Sequence, residues 1–76
     1  MTPSTLQIPE LIKTLRKRMN LSQEKFAARL GVSFQTINRW ERGHATPSPM
    51  GIKLIELQLR QMGERGADLL EAYFSK

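Results

Sequence analysis

The chain has 76 residues, no cysteine, one histidine and a formal net charge of +5. That length allows one domain with a small core. The residue types exclude disulfide staples and a histidine–cysteine metal centre. The seven carboxylates are dispersed and no glycine-rich loop cradles phosphate, so neither enzyme chemistry nor a cofactor is expected. Residues 1–55 carry nine Lys/Arg against three Glu, a balance of +6, while residues 56–76 carry three basic against four acidic side chains, a balance of −1.

Residues 1–7 are polar with Pro3 and read as a short frayed arm. The opening MTPSTLQIPE has neither a basic start nor a long apolar core, so no signal peptide is expected. No apolar run approaches membrane-spanning length, and the lack of cysteine suits a reducing cytoplasm. The first helix is predicted from about Pro9, whose missing N–H costs nothing at a first helical position. Glu10 sits against the helix dipole. Leu11, Ile12, Leu15 and Met19 fall on one face, and Asn20 is a left-handed terminator. Ser22 caps a second helix with Phe26, Ala27 and Leu30 on its apolar face. Gly31 ends it, where the chain needs positive φ.

Ser33 caps a third helix with Ile37 and Trp40 inward, and Gly43 closes it. Leu21 can staple to Phe26, and Val32 to Ile37. About three residues separate these two helices, so they cross steeply in a helix-turn-helix. Ala27 falls where the axes come closest. HATPSP is then a loop, its two prolines blocking helix and strand alike. The fourth helix is predicted from Pro49 to Met62. Ile52, Ile55, Leu59 and Met62 repeat in a seven-residue rhythm. Leu54 and Leu57 widen the apolar arc and call for a second partner, either a following helix or another subunit. Gly63 stops this helix. A fifth runs from Glu64 or Arg65 to Phe74, with Gly66 weakening its first turn. Leu69, Leu70, Tyr73 and Phe74 make an apolar end, expected to form a dimer contact with some folding back onto the fourth helix.

LSQEKFAARLGVS followed by INRWERG resembles the helix-turn-helix of phage repressor and Cro-type regulators, the XRE-like family. The likeness covers roughly Pro9 to Leu59. It rests on small Ala27, turn Gly31, apolar Val32, Ile37 and Trp40, and the Glu41-Arg42-Gly43 close. It implies an all-α, lambda-repressor-like DNA-binding domain over residues 1–76, a compact bundle of about five short helices with the helix-turn-helix as the second and third. In related repressors an arginine of helix 1 pairs with the glutamate closing helix 3. Arg16 and Glu41 fall on those positions, and the pair is expected to lock helix 1 to the recognition helix. Gln23 resembles the glutamine that contacts phosphate in this family, and its backbone N–H adds the helix dipole.

The third helix is then expected in the major groove, with its N-terminal residues at base edges. Gln35 can pair with adenine N6 and N7, and Arg39 with guanine O6 and N7. Ser33 joins the base-contacting set in addition to its capping role. Phe34 departs from the polar residue expected there; it either contacts a thymine methyl or tucks against the first two helices. Thr36, Asn38, Arg42 and Lys53 complete the phosphate-contacting set with Gln23. His44 reads as a loop residue near phosphate; a lone histidine is not a metal site.

One copy of this motif covers few base pairs, so a homodimer on double-stranded DNA is expected, with palindromic half-sites roughly 10 base pairs apart. The leading reading is a sequence-specific transcriptional regulator, a repressor. WERGHATPSPMGIKLIELQL also resembles the antitoxin branch of the same fold, where a toxin protein is the main partner and DNA binding serves autoregulation. A third reading, an adaptor that contacts protein alone, is disfavoured by the basic polar face of the third helix. No membrane partner is expected.

Overall fold

The structure, a computed structural model, describes residues 8–74. The arm expected at residues 1–7 lies outside them, as do residues 75–76. Five helices follow in order: α1 (Ile8–Arg18), α2 (Gln23–Leu30), α3 (Phe34–Arg42), α4 (Pro49–Gln61) and α5 (Glu64–Phe74). No strand occurs among the described residues.

Serine and glycine set the helix limits through local hydrogen bonds. Ser22 Oγ accepts the Lys25 N–H at 3.1 Å, and Ser33 Oγ accepts the Thr36 N–H at 3.1 Å. Both satisfy a donor that has no partner within the first turn of its helix. α2 and α3 end the same way. Gly31 and Gly43 take φ of 77° and 76°, a left-handed conformation that costs glycine nothing. The next N–H groups, of Val32 and His44, then return to the carbonyls of Ala27 and Arg39. Asn20, at φ 60°, makes the corresponding break after α1. Ser48 is a third cap, accepting the Gly51 N–H at 3.2 Å, with Pro49 as the first residue of α4.

The core joins one face of every helix. Leu11, Ile12 and Leu15 of α1 meet Phe26, Ala27 and Leu30 of α2 and Ile37 and Trp40 of α3. Ile55 and Leu59 of α4 and Leu69 of α5 close the cluster. Met19, Leu21, Val32, Leu54 and Met62 pack half-buried around its edge. Each large side chain withdrawn from water stabilises by roughly 1.5–3 kcal/mol, so this cluster is the main force holding α3 in place.

Two glycines mark close approaches. A Cβ on Gly51 would stand 3.0 Å from Trp40 Cη2 and 3.2 Å from Pro47 Cβ, which ties the loop and α4 against the back of α3. A Cβ on Gly66 would stand 2.5 Å from the Leu59 carbonyl oxygen. Gly66 is therefore more than a weak spot in α5, as its helix propensity alone suggests. It is the point where α5 crosses α4 backbone to backbone. This following helix is thus one partner of α4, and of the two residues that widen its arc Leu54 is half-buried against the core while Leu57 stays exposed.

Candidate nucleic-acid interface

Glu41 is the only acid on α3, and its side chain is 3 % exposed. It is fully engaged. Arg16 Nε donates to Oε2 at 2.7 Å and Arg16 Nη2 to Oε1 at 3.1 Å, while Gln23 Nε2 donates to Oε1 at 2.9 Å. Arg16 Nη1 donates to the Leu21 carbonyl at 3.0 Å. The fork of one guanidinium thus fastens α1 to the end of α3 and to the connection before α2. Its planar shape matches both carboxylate oxygens at once. The network runs on: Asn38 Nδ2 donates to Gln23 Oε1 at 3.2 Å. Gln23 and Asn38, both expected at phosphates, are therefore also held by each other across the turn.

With its acid turned inward, α3 presents only neutral and cationic groups outward. Phe34, Gln35, Arg39 and Arg42 are exposed, Thr36 and Asn38 half-buried. Ser33 Oγ lies 2.9 Å from Thr36 Oγ1 besides accepting the Thr36 N–H, so these two hydroxyl groups are partnered at the N-terminus of the helix. Phe34 does not tuck against α1 and α2. It is 44 % exposed and shares a shallow hollow with Gln35, Asn38, Arg39 and His44. His44 is placed there by the left-handed turn at Gly43. Lys53 is exposed on α4, beyond the loop. Ile37 and Trp40, on the opposite side of α3, are buried.

Leu69 is buried inside this one copy of the chain, and Leu70, Tyr73 and Phe74 pack half-buried against the core. Folding back thus accounts for part of the apolar end of α5. Leu70 and Phe74 also line a surface groove with Arg60, Ala67 and Glu71, and Leu57 is exposed on α4. Burial raises the Tyr73 hydroxyl above its ordinary pKa, and the charge of Glu10 adds to the effect.

Other polar contacts, besides that of Gln23 with Asn38, have no counterpart in the sequence-based expectations. Arg29 Nε donates to Gln58 Oε1 at 3.0 Å, joining α2 to α4, and Gln58 is buried. A glutamine between Ile55 and Leu59 on a core-facing arc was the signal for it. Arg18 holds both oxygens of Asp68 at 2.7 and 2.9 Å and donates to the Arg65 carbonyl, while Arg65 donates back to the Arg18 carbonyl. This joins the end of α1 to the start of α5. The Arg18 guanidinium pulls the Asp68 carboxyl down to about 2. Nothing in local spacing announces a pair 50 residues apart.

No group of acidic or histidine side chains among the described residues is arranged to hold a metal ion. No helix among them is long and apolar enough to cross a membrane.

The Helix-turn-helix family profile matches residues 12–60, which takes in α2 and α3 with the helices on either side. Antitoxin HigA-2 of Vibrio cholerae serotype O1 is 33 % identical over 52 residues, covering 68 % of this chain and 50 % of the relative. Antitoxin MqsA of Escherichia coli K12 is 35 % identical over 49 residues, covering 64 % of this chain and 37 % of the relative. Type II methyltransferase M.SsoII of Shigella sonnei is 39 % identical over 54 residues, which is 67 % of this chain but 14 % of the enzyme. The chain spans half or less of the curated relatives it matches, and so small a share of the methyltransferase carries no catalytic reading. No solved structure matches. The fold, the capped turn and the family match agree: this chain belongs to the XRE-type helix-turn-helix family, DNA-binding regulators with a lambda-repressor-like fold.

Proposed function

We propose that the chain is a sequence-specific transcriptional regulator, a repressor that binds a palindromic operator as a two-fold dimer with α3 in the major groove. One observation carries this reading. α3 is pinned from behind by the core and by Arg16, its acid is buried, and the side it leaves exposed bears amides, an aromatic ring and guanidinium groups. Base contacts are assigned to Ser33, Phe34, Gln35 and Arg39. Gln35 suits adenine and Arg39 suits guanine. Gln23, Thr36, Asn38, Arg42 and Lys53 meet phosphates. The amide groups of Gln23 and Asn38 each carry a second N–H beyond the one already bonded, so both can serve the network and a phosphate together. The dimer contact is assigned to the apolar end of α5, through Leu70, Tyr73 and Phe74 with Leu69 supporting them from beneath.

The test is selection of binding sites from random double-stranded DNA. An enriched palindrome with half-sites about 10 base pairs apart is expected. Gln35→Ala and Arg39→Ala should relax its sequence while leaving helix content unchanged. Binding of the enriched site no tighter than random DNA sinks the reading.

A second role is supported by the two similar antitoxins. We infer that such a regulator would silence its own operon as the antitoxin of a toxin–antitoxin pair. Co-purification with a small protein encoded beside it, and tighter operator binding by the pair, are the expected results. A protein that elutes alone when expressed with its neighbour gene speaks against this role.

A further inference from the structure

Phe34 stands at the first position of α3, the end that enters the groove in the reading proposed above, on which this inference rests. The ring is 44 % exposed, and its neighbours indicate what it faces. The hollow it lines holds the amides of Gln35 and Asn38, the guanidinium of Arg39 and the imidazole of His44, with no carboxylate among them. We infer that this hollow receives the 5-methyl group of a thymine, about two base steps from a guanine held by Arg39.

The chemistry selects this occupant. An apolar wall next to several donors calls for a ligand that sets an apolar group beside acceptors. The major-groove edge does so, with the thymine methyl near O4 and with guanine O6 and N7 on neighbouring pairs, whereas the phosphate backbone and the minor groove offer no methyl. The spacing agrees. Phe34 with Asn38, and Gln35 with Arg39, are four residues apart and form two adjacent rows on the helix surface. Four residues rise about 6 Å along the helix, close to two base steps at about 3.4 Å each. Phe34 and Arg39 are five residues apart, a rise of about 7.5 Å. The ring and the guanidinium therefore address base pairs about two steps apart, and the specificity of the site includes a group that makes no hydrogen bond.

The experiment replaces thymine by uracil, one position at a time, in the operator enriched by the intact chain. Uracil differs from thymine by the methyl alone. At one thymine per half-site, about two steps from a guanine, the exchange is expected to weaken wild-type binding roughly four-fold, the worth of one buried methyl-sized group. Phe34→Ala, folded by circular dichroism because its ring is exposed, should bind the thymine and uracil operators alike. Phe34→Leu should keep part of the difference. If no thymine is sensitive in the wild type, or if the thymine–uracil difference survives in Phe34→Ala, the inference is overturned. Failure of the wild type to enrich any site overturns the DNA-binding reading, and this inference falls with it; an enriched site with no methyl effect overturns this inference alone.

Discussion

Glu41 shows how much of this domain depends on one carboxylate. It is buried and bonded by three N–H groups from two side chains, which replace the water it has lost. Arg16→Met removes two of them and leaves a charge out of water. The expected loss is roughly 3–5 kcal/mol, read as a lower urea midpoint at unchanged slope. Arg16→Met combined with Glu41→Leu should recover much of it, because apolar side chains of similar volume often replace a buried pair without loss. If the double variant is no more stable than the single, the pair contributes well beyond its own desolvation cost. Arg16 and Glu41 were legible because the family resemblance names their positions. The Gln23–Asn38 bond was not. Both residues carry the polarity of surface groups, and only the steep crossing of α2 and α3 brings their amides within 3.2 Å.

At the scale of whole helices the sequence was most legible where the chemistry is local. A serine oxygen three residues before a free N–H, or a glycine free to take positive φ, acts within one turn, so Ser22, Gly31, Ser33 and Gly43 announced the limits of α2 and α3 by themselves. Gly66 was misjudged because its constraint comes from another helix, the Leu59 carbonyl of α4. The two effects predict opposite outcomes for Gly66→Ala. Propensity alone would stabilise α5 by about 1 kcal/mol. Overpacking against a backbone oxygen that cannot swing aside costs roughly 1–3 kcal/mol, so a lower melting temperature is expected, and a higher one would show that α5 is free to slide.

The bridge from α1 to α5 adds a dependence on acid. Asp68 is lowered from 3.8 to about 2 in the fold. Its stabilising share is thus complete above pH 4 and lost as the pH falls towards 2. Asp68→Asn should flatten that part of the melting-temperature profile, lowering it slightly at neutral pH, where the exposed pair contributes little, and leaving it unchanged near pH 2.

The molecule as a whole is small, 30 × 25 × 19 Å, with a single core, and nine of its twelve Lys/Arg lie in residues 1–55, which include α3. Whether one copy or two grips the operator can be read from ion release. A lost phosphate contact lowers the slope of log affinity against log salt by about one. Arg42→Ala should therefore lower it by about two on a full palindrome if each subunit contributes one such contact, and by about one on an isolated half-site; equal changes on both would argue for a monomer. The packing behind α3 matters for how such titrations are followed. Trp40 is the only tryptophan, 6 % exposed, with its ring edge against Gly51. Its fluorescence should be blue-shifted while α3 and α4 remain together and move to the red when that seam opens. A groove ligand lands on the opposite side of α3 and should leave the emission unchanged. The indole is thus an optical gauge of integrity that is blind to occupancy, and a red shift on adding DNA would mean that the recognition helix had lifted from its bed.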